Sequence, residues 1–249
     1  MRQKNQKIQP FETAHTIARI NNREFLLKDQ IIKLFQSFIF SIFPRYGATI
    51  YCFIVMTNHI HLLHQSPTKN PDTKYGKKME RNKKLIEIGD LKRHLFSQFA
   101  KAANKIIKVD KLGKVIEDIK NLNGKFRERF GCLIEDRSKS IPVRDENHGL
   151  ANLIYIFLNA VRAGIVKHPK EYEYSNYNMY ASGLAIPGFS FHPEYLALGN
   201  TLDEAARVFT GMIEEAVAEI LQTFENTNYI TNPLHSPTKM IDISKEVNE

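Results

Sequence analysis

Three histidines lie within six positions at the end of an apolar run, in the segment MTNHIHLLH at residues 56–64. Side chains alternate between the two faces of a strand, so His59 and His61 should point to one face and His64 to the other. Two imidazoles side by side on one sheet face form half of a metal site. The spacing alone is weak support, because His-x-His arises easily by chance in a chain with nine histidines. We therefore keep His59 and His61 as candidate ligands and expect an ordinary strand-end role for His64.

A second group of polar residues follows a helical pattern in ANLIYIFLNAVRAGIV, residues 151–166. Tyr155, Asn159 and Arg162 are spaced four and three residues apart, which places them on one stripe of a helix. Beside it runs an apolar stripe that predicts a buried face, formed by Ile154, Phe157, Leu158, Val161 and Ile165. A tyrosine hydroxyl and an amide oxygen one turn apart can act as catalytic or ligand groups. They can equally flank a core, with Asn159 as a local cap, and the residues alone leave both interpretations open.

The elements that must position these residues alternate between strands and helices. Residues 14–20 and 48–56 are rich in β-branched and aromatic side chains, which predicts strands. Residues 28–43 have apolar side chains at three- and four-residue spacing, which predicts a helix that ends at Pro44. Residues 59–65 follow a two-residue turn and should form the returning strand of a hairpin.

The rest of the pattern completes a fold prediction. We expect a loop over 66–84, a helix over 89–106, an extended basic segment over 123–143, a helix over 147–166 and an amphipathic helix over 201–224. The order β-α-β-β-α-β predicts an α+β fold of the ferredoxin-like (RRM-like) kind. Such a fold has an antiparallel sheet with helices on one face, here followed by a C-terminal helical extension.

The positive charge of the chain is concentrated in one block. The chain holds 35 Lys and Arg against 27 Asp and Glu, a formal net charge of +8. Residues 69–129 alone hold 18 Lys and Arg against 8 Asp and Glu, a local charge of +10. The remainder is therefore slightly acidic. A local block of this kind favours a polyanionic partner, although a solvated lysine-rich face has the same composition.

Cysteine content and hydropathy limit which classes of protein the sequence fits. Cys52 and Cys132 are the only cysteines, too few for a disulfide framework, so we expect a reduced, cytoplasmic protein. The longest apolar run, FIFSIF before Pro44, is too short to span a bilayer. No membrane partner is expected.

Two segments together, FIVMTNHIHLL and LIYIFLNAVRAGIVKHPKEYEYSNYNMY, closely resemble the single-tyrosine HUH transposases, in particular the REP-associated tyrosine transposases. In that family a strand ends in His-hydrophobic-His, and a later helix carries a tyrosine, a polar ligand four residues on and an NPVRAGLV-like run. The matching positions here are His59, His61, Tyr155 and Asn159. HTIARINNREFLL resembles the family's first strand and turn, and YLALGNTLDEAARVF its C-terminal extension. The resemblance thus covers most of residues 14–215.

The chain departs from the family pattern at two positions. Ala160 stands where proline is usual, and Tyr174 stands where a tryptophan is common. Both lie beside the catalytic positions, so they bear on the DNA substrate more than on the chemistry. The resemblance implies four segments: a disordered N-terminus at 1–11, an HUH transposase-like catalytic domain at 12–180, a C-terminal helical extension at 181–227 and a disordered tail at 228–249.

The resemblance also implies a reaction. His59, His61 and the side-chain oxygen of Asn159 would bind a divalent cation, and imidazole with carbonyl oxygen suits Mg²⁺ or Mn²⁺. Tyr155 would attack the scissile phosphorus, leaving a 5′-phosphotyrosine and a free 3′-hydroxyl. The covalent step conserves the phosphodiester energy, so strands can be rejoined without a nucleotide cofactor.

The expected partner is single-stranded or hairpin DNA, bound by a monomer or homodimer in the cytoplasm, in association with the nucleoid. The basic block would hold the phosphate backbone, and exposed aromatic rings would stack on unpaired bases. Phe126 and Phe130 are candidates for stacking. The candidate DNA contacts are Lys92, Arg93, Lys101, Lys125, Arg127, Arg129 and Arg162.

Two other functions fit parts of the pattern. One is a nucleic-acid-binding module on the same fold without catalysis. The other is a metal-dependent phosphohydrolase that uses water in place of Tyr155, although neither motif supplies an acidic residue as its general base. A covalent tyrosine–DNA adduct would distinguish the transposase from both.

Overall fold

The structure is a computed structural model that describes residues 8, 12–24, 26–66, 70, 72–82, 87–109, 115–116, 126–135, 138–144 and 148–226. Apart from residue 8, the predicted disordered termini at 1–11 and 228–249 lie outside the described residues. The elements follow in chain order: β1 (Thr13–Arg19), α1 (Asp29–Tyr46), β2 (Thr49–Val55), β3 (His59–Gln65), α2 (Lys74–Arg81), α3 (Ile88–Ile106), β4 (Lys108–Val109), β5 (Arg127–Glu128), β6 (Lys139–Val143), α4 (His148–Phe157), α5 (Asn159–Arg162), α6 (Tyr177–Ser182), α7 (Pro193–Leu196) and α8 (Leu202–Asn226).

Four of the strands form one antiparallel sheet in the order β2-β3-β1-β6, and β4 pairs with β5 separately. This is the strand order of a ferredoxin-like fold, so the predicted fold class is confirmed. Side-chain alternation gives the sheet two different faces. His59 and His61 lie on one, which we call the histidine face. Thr16 and His64, which hydrogen-bond to each other at 2.8 Å, lie on the other, which we call the helix face.

Helices α1 and α3 pack side by side on the helix face. Phe35 of α1 meets Phe99 of α3 edge-on, with 4.9 Å between ring centroids. Phe43 lies about two turns further along α1. Its ring contacts that of His64, with 5.8 Å between ring centroids. All four side chains are almost completely buried. These two helices therefore form the predicted helical layer.

Helix α4 packs on the histidine face, where the ring of Tyr155 contacts that of His61 at 5.9 Å. Phe157, two residues after Tyr155 in α4, packs into an aromatic cluster with later helices. Its neighbours, all fully buried, are Tyr177, Tyr180 and Phe209. Phe209 of the C-terminal extension thus packs against the helix that carries the candidate nucleophile.

A carboxylate from α7 caps the N-terminus of α4. Glu194 accepts hydrogen bonds from the backbone N–H groups of Gly149 at 3.1 Å and Leu150 at 2.7 Å. A negative charge here also interacts favourably with the helix dipole. A Cβ at Gly149 would lie 2.0 Å from Cε1 of His192, so the contact requires glycine. The orientation of α4 consequently depends on residues beyond 180.

The bounds of two helices differ from the sequence prediction. Pro44 does not end α1, which continues to Tyr46 because a proline in the last turn removes only one hydrogen bond; Gly47, at φ 64°, ends it. Part of the predicted loop at 66–84 is helix α2. Thr73 begins it by accepting a hydrogen bond from the N–H of Gly76 at 3.1 Å, a capping signal that the many lysines obscured.

The predicted helix at 147–166 is divided into α4 and α5 and ends at Arg162. Gly164 has a positive φ of 65°, which terminates the helix and turns the chain. Ile165 therefore leaves the predicted apolar stripe and is 45% exposed, whereas Phe157, Leu158 and Val161 are buried as the pattern predicts. In the part of the chain that the structure describes, no helix is long and apolar enough to cross a membrane.

The outer edge of β2 is covered by residues 172–180 instead of another strand. Asn176, 2% exposed, accepts a hydrogen bond from the N–H of Phe53 and donates one to the carbonyl of Tyr51, both at 2.9 Å. The hydroxyl of Tyr172 donates to the carbonyl of Val55 at 2.8 Å. Side chains thus satisfy backbone groups that an edge strand would otherwise bury without partners.

We expect Asn176→Ala to lower the free energy of unfolding by about 2–4 kcal/mol, since two buried backbone groups lose their partners. Asn178→Ala removes the same side chain from an exposed position two residues away, and should change stability by less than about 0.5 kcal/mol. Urea unfolding of both variants measures the difference. Equal effects would show that the coverage of β2 does not depend on Asn176.

Candidate active site

The β2–β3 hairpin presents His59 and His61 at its turn end. The N–H of Met56 donates to the carbonyl of His59 at 2.8 Å, which closes the hairpin, and the N–H of Ile20 donates to the carbonyl of Asn58 at 2.8 Å, which ties the turn to β1. The two imidazole rings lie 5.0 Å apart, nearly perpendicular. The turn and the pairing with β1 thus hold the two side chains close together on the histidine face.

The Nδ1 atoms of both histidines are engaged within the protein. Nδ1 of His59 lies 2.6 Å from Oδ1 of Asn58, so it donates its proton to that oxygen and leaves Nε2 as the unprotonated nitrogen. Nδ1 of His61 lies 2.8 Å from Nε2 of His15, a residue of β1. Both contacts are of the kind that orients metal-binding histidines in proteins.

Burial keeps the imidazoles neutral. It lowers the pKa of His59 to about 4, with a smaller contribution from the positive charge of Arg19. Burial likewise lowers the pKa of His61 well below its usual range, assisted by His15, His59 and Arg19. The pKa of His15 falls to about 4, again through burial, against a hydrogen bond to Asn152 that raises it. Neutral imidazoles are the form that binds metal ions.

Tyr155 lies directly against these histidines. Its half-buried ring makes edge contacts with His15 and His61, each with 5.9 Å between centroids. The guanidinium carbon of Arg162 lies 5.1 Å from the centroid of the same ring. In the described part of the chain, Nη1 of Arg162 is buried without a hydrogen-bond partner. The structure therefore brings together Tyr155, Arg162 and the histidine pair.

Asn159 lies one helical turn after Tyr155, at the start of α5. Its Nδ2 donates to the carbonyls of Tyr155 at 2.8 Å and Ile156 at 3.2 Å, where α4 ends. This is the local capping contact that the sequence left open as an alternative. Because the nitrogen is engaged, Oδ1 is the atom left for a cation. Among the described residues, no three His, Cys, Asp or Glu side chains form a metal-binding group, so an amide ligand would have to complete the set.

Apart from Arg162, the described candidate DNA contacts lie away from the histidine face. Arg93 and Lys101 are exposed on α3, and Arg127 is exposed on β5 beside it. Phe130, at 92% exposure, lies in the same region. Lys125 lies outside the described residues. Since α3 covers the helix face, a strand contacting these residues and Tyr155 together would have to pass around an edge of the sheet.

Two further candidates make internal contacts. The guanidinium of Arg129 donates to the carbonyl of Cys132 at 3.2 Å, and its side chain is only 11% exposed. Nζ of Lys92 donates to Oγ of Ser140 in β6 at 2.7 Å and to the carbonyl of Ser138 at 3.1 Å. Burial lowers the pKa of Lys92 to about 8. Arg129 thus holds Cys132 near α3, and Lys92 of α3 holds Ser138 and Ser140.

Two residues of the site, His15 and Asn58, are not among the predicted site residues. The signal for His15 is topological. A ferredoxin-like order places β1 beside β3, so a histidine in β1 will lie near one in β3 when the register and the face agree. Asn58 precedes His59 in the hairpin turn and could have been recognised as its hydrogen-bond partner.

The comparisons with known proteins bear on this site. Residues 12–84 match the family model of the IS200-like transposases. The predicted family resemblance is confirmed. The matched segment includes His15, His59 and His61, while Tyr155 lies beyond it. No curated protein matches the chain significantly.

One solved structure has a similar fold, and a second is more distant. A REP-associated tyrosine transposase bound to a REP hairpin covers 77% of this chain and 93% of its own length, with 16% identity and a TM-score of 0.51. A putative transposase from Deinococcus radiodurans R1 covers 63% of this chain and 96% of its own, with 16% identity and a TM-score of 0.29. The first of these shares the fold of this chain.

The burial of Lys92 predicts a pH-dependent stability. In the native state its pKa is about 8, against an ordinary value of 10.5, so the native protein releases this proton at lower pH than the unfolded chain does. Between these values the free energy of unfolding should therefore rise with pH. Lys92→Met should remove that rise, whereas Lys101→Met, at an exposed position on the same helix, should leave it intact.

Chemical denaturation of wild type and both variants between pH 7 and pH 10 gives the comparison. The difference between wild type and Lys92→Met should change steadily with pH. A constant difference would mean that the Lys92 ammonium is solvated, and would return Lys92 to the set of accessible phosphate contacts.

Proposed function

We propose that this protein is a transposase that cleaves and rejoins single-stranded DNA, with Tyr155 as its nucleophile. The observation that carries the proposal is the position of Tyr155, whose ring lies edge-on against His61 and His15 on the face that also presents His59. A tyrosine, a pair of neutral histidines and a neighbouring arginine form a set suited to phosphoryl transfer. The match to the IS200-like transposases supports the same reaction class.

His59, His61 and Asn159 are the residues that would hold a divalent cation. The set fits such an ion, because the Nδ1 atoms of the histidines and Nδ2 of Asn159 are engaged within the protein, which leaves two Nε2 atoms and one amide oxygen as ligands. Imidazole and amide oxygen ligands suit Mg²⁺ or Mn²⁺. Such a cation, when bound, supplies polarisation of the scissile phosphate and neutralises its developing charge.

The protein's own groups carry the covalent step. The hydroxyl oxygen of Tyr155 forms a bond to phosphorus and gives up its proton, while the bond from phosphorus to the 3′ oxygen breaks and that oxygen takes a proton. The products are a 5′-phosphotyrosine and a free 3′-hydroxyl. Attack by a 3′-hydroxyl on the phosphotyrosine reverses the process and rejoins strands. Arg162, whose buried Nη1 has no partner among the described residues, would donate to a phosphate oxygen.

The proposed substrate is single-stranded or hairpin DNA. The REP-associated tyrosine transposase that shares this fold is bound to a REP hairpin. In this chain the exposed cations Arg93, Lys101 and Arg127 would contact phosphates, and the exposed ring of Phe130 would stack on an unpaired base. Lys92 and Arg129 would support this surface from within. We further propose that the catalytic domain spans 12–180, that the extension spans 181–227, and that the protein acts in the cytoplasm.

Tyr155→Phe should eliminate the covalent protein–DNA adduct while changing the fold and DNA affinity little. The variant loses the attacking oxygen and keeps the ring that packs on the histidines. Incubation with labelled hairpin DNA and Mn²⁺, followed by denaturing gels, detects the adduct. Tyr174→Phe is the matched control, since it removes a hydroxyl from another half-buried tyrosine. Tyr177 is a poor substitute nucleophile, because it is 2% exposed and burial raises its pKa to about 12.

An adduct formed by Tyr155→Phe would assign the reaction to another residue. Cleavage by wild type without any adduct would support a phosphohydrolase, and binding without cleavage would support a binding module.

His59→Ala and His61→Ala should each abolish cleavage but leave most single-strand binding, because phosphate contacts elsewhere supply most of the affinity. Fluorescence anisotropy with a labelled oligonucleotide measures binding alongside the cleavage assay. Wild-type affinity should also fall steeply with added salt. Parallel loss of binding and cleavage in both variants would show that the histidines serve the fold.

A further inference from the structure

His15 is a buried histidine that neither the sequence motifs nor the proposed reaction uses. It lies in β1, is 5% exposed, and its Nε2 is 2.8 Å from Nδ1 of His61, which is 3% exposed. The two rings are 5.1 Å apart. A polar pair this deeply buried is costly unless its hydrogen bond is satisfied in a defined direction.

The direction of that hydrogen bond decides which nitrogen of His61 is unprotonated. With both rings neutral, one proton lies between Nδ1 of His61 and Nε2 of His15. If His61 donates it, Nε2 of His61 is unprotonated; if His15 donates it, Nε2 of His61 carries a proton and cannot bind a metal ion. The proposed function, in which His61 is a ligand, therefore requires His61 to donate from Nδ1 and His15 to accept.

His59 is also protonated at Nδ1, but a different partner sets this tautomer. Its Nδ1 donates to Asn58 at 2.6 Å and its Nε2 is left unprotonated. The two histidines of β3 then have matching tautomers, one set by the hairpin turn and the other by β1. Two unrelated contacts produce the same tautomer on neighbouring rings of one sheet face.

We propose that His15 is a positioning residue, which holds His61 in the Nδ1–H tautomer and so presents its Nε2 to a divalent cation. The inference rests on the proposed function, in which His61 is a metal ligand. Contacts that orient a metal-binding histidine typically contribute 10–100-fold to metal affinity. His15 also touches the ring of Tyr155, so it links the metal-binding pair to the nucleophile without contacting the substrate.

Two amide substitutions separate this role from simple packing. Glutamine can place its terminal oxygen near the position of Nε2 in histidine, whereas asparagine reaches only the position of Nδ1. His15→Gln should therefore accept the proton of His61 and retain Mn²⁺ affinity within about threefold, while His15→Asn should lose about 10–100-fold. Mn²⁺ titration followed by electron paramagnetic resonance measures both without requiring catalysis.

His64→Asn is the matched control. His64 is a fully buried histidine of the same strand that bonds to Thr16 of β1, but it lies on the helix face. Its substitution should destabilise the protein to a similar degree and leave Mn²⁺ affinity unchanged. Equal losses of affinity in His64→Asn and His15→Asn would overturn the positioning role, as would unchanged affinity in His15→Asn.

The tautomer can be measured in the metal-free protein. Long-range ¹⁵N–¹H correlation spectra of the wild type should show His61 protonated at Nδ1, and His15→Asn should lose this preference. Protonation of His61 at Nε2 in the wild type would overturn the inference directly. If wild type shows the expected tautomer but binds no Mn²⁺ in the titration, the metal site of the proposed function is wrong, and with it the purpose assigned to His15.

Discussion

The antiparallel pairing of β1 with β3 is the interaction on which the candidate site depends. Its register places Ile17 opposite His61 and Arg19 opposite His59, and it brings His15 within hydrogen-bonding distance of His61. A shift of one residue in either strand would move the histidines to the opposite face of the sheet. The pairing thus decides both which residues meet and what surrounds them.

As a result, histidines on the two faces of the sheet have different surroundings. His64 faces the core formed by α1 and α3, where burial lowers its pKa to about 3 and its role is to bond Thr16. His59 and His61 face α4, where each ring has a partner at Nδ1 and lies near Tyr155 or the other histidine. Alternation along one strand therefore separates a structural imidazole from two that are available for chemistry.

Much of this arrangement follows from the sequence because it depends on periodicity. The alternation in β3 predicts that His59 and His61 share a face, and the helical spacing in 151–166 predicts that Tyr155 lies on the edge of a buried stripe. The order of elements predicts the ferredoxin-like sheet. These features need only local patterns and a common topology.

What the sequence does not predict depends on contacts between distant segments. His15 requires the β1–β3 register, and the cap on α4 requires Glu194, about 45 residues further along the chain. The inward direction of Lys92 depends on β6 lying beneath α3. Charge density alone predicts a basic surface, but it cannot distinguish a lysine that meets phosphate from one that bonds a serine in the sheet.

The most direct test of the account is to identify the residue that becomes bonded to DNA. Wild-type protein would be incubated with a hairpin oligonucleotide and Mn²⁺, digested with nuclease and protease, and its peptides mapped by mass spectrometry. The account predicts a nucleotide attached through phosphate to Tyr155 and to no other tyrosine. Attachment at a different residue, or cleaved DNA with no modified peptide, would contradict it.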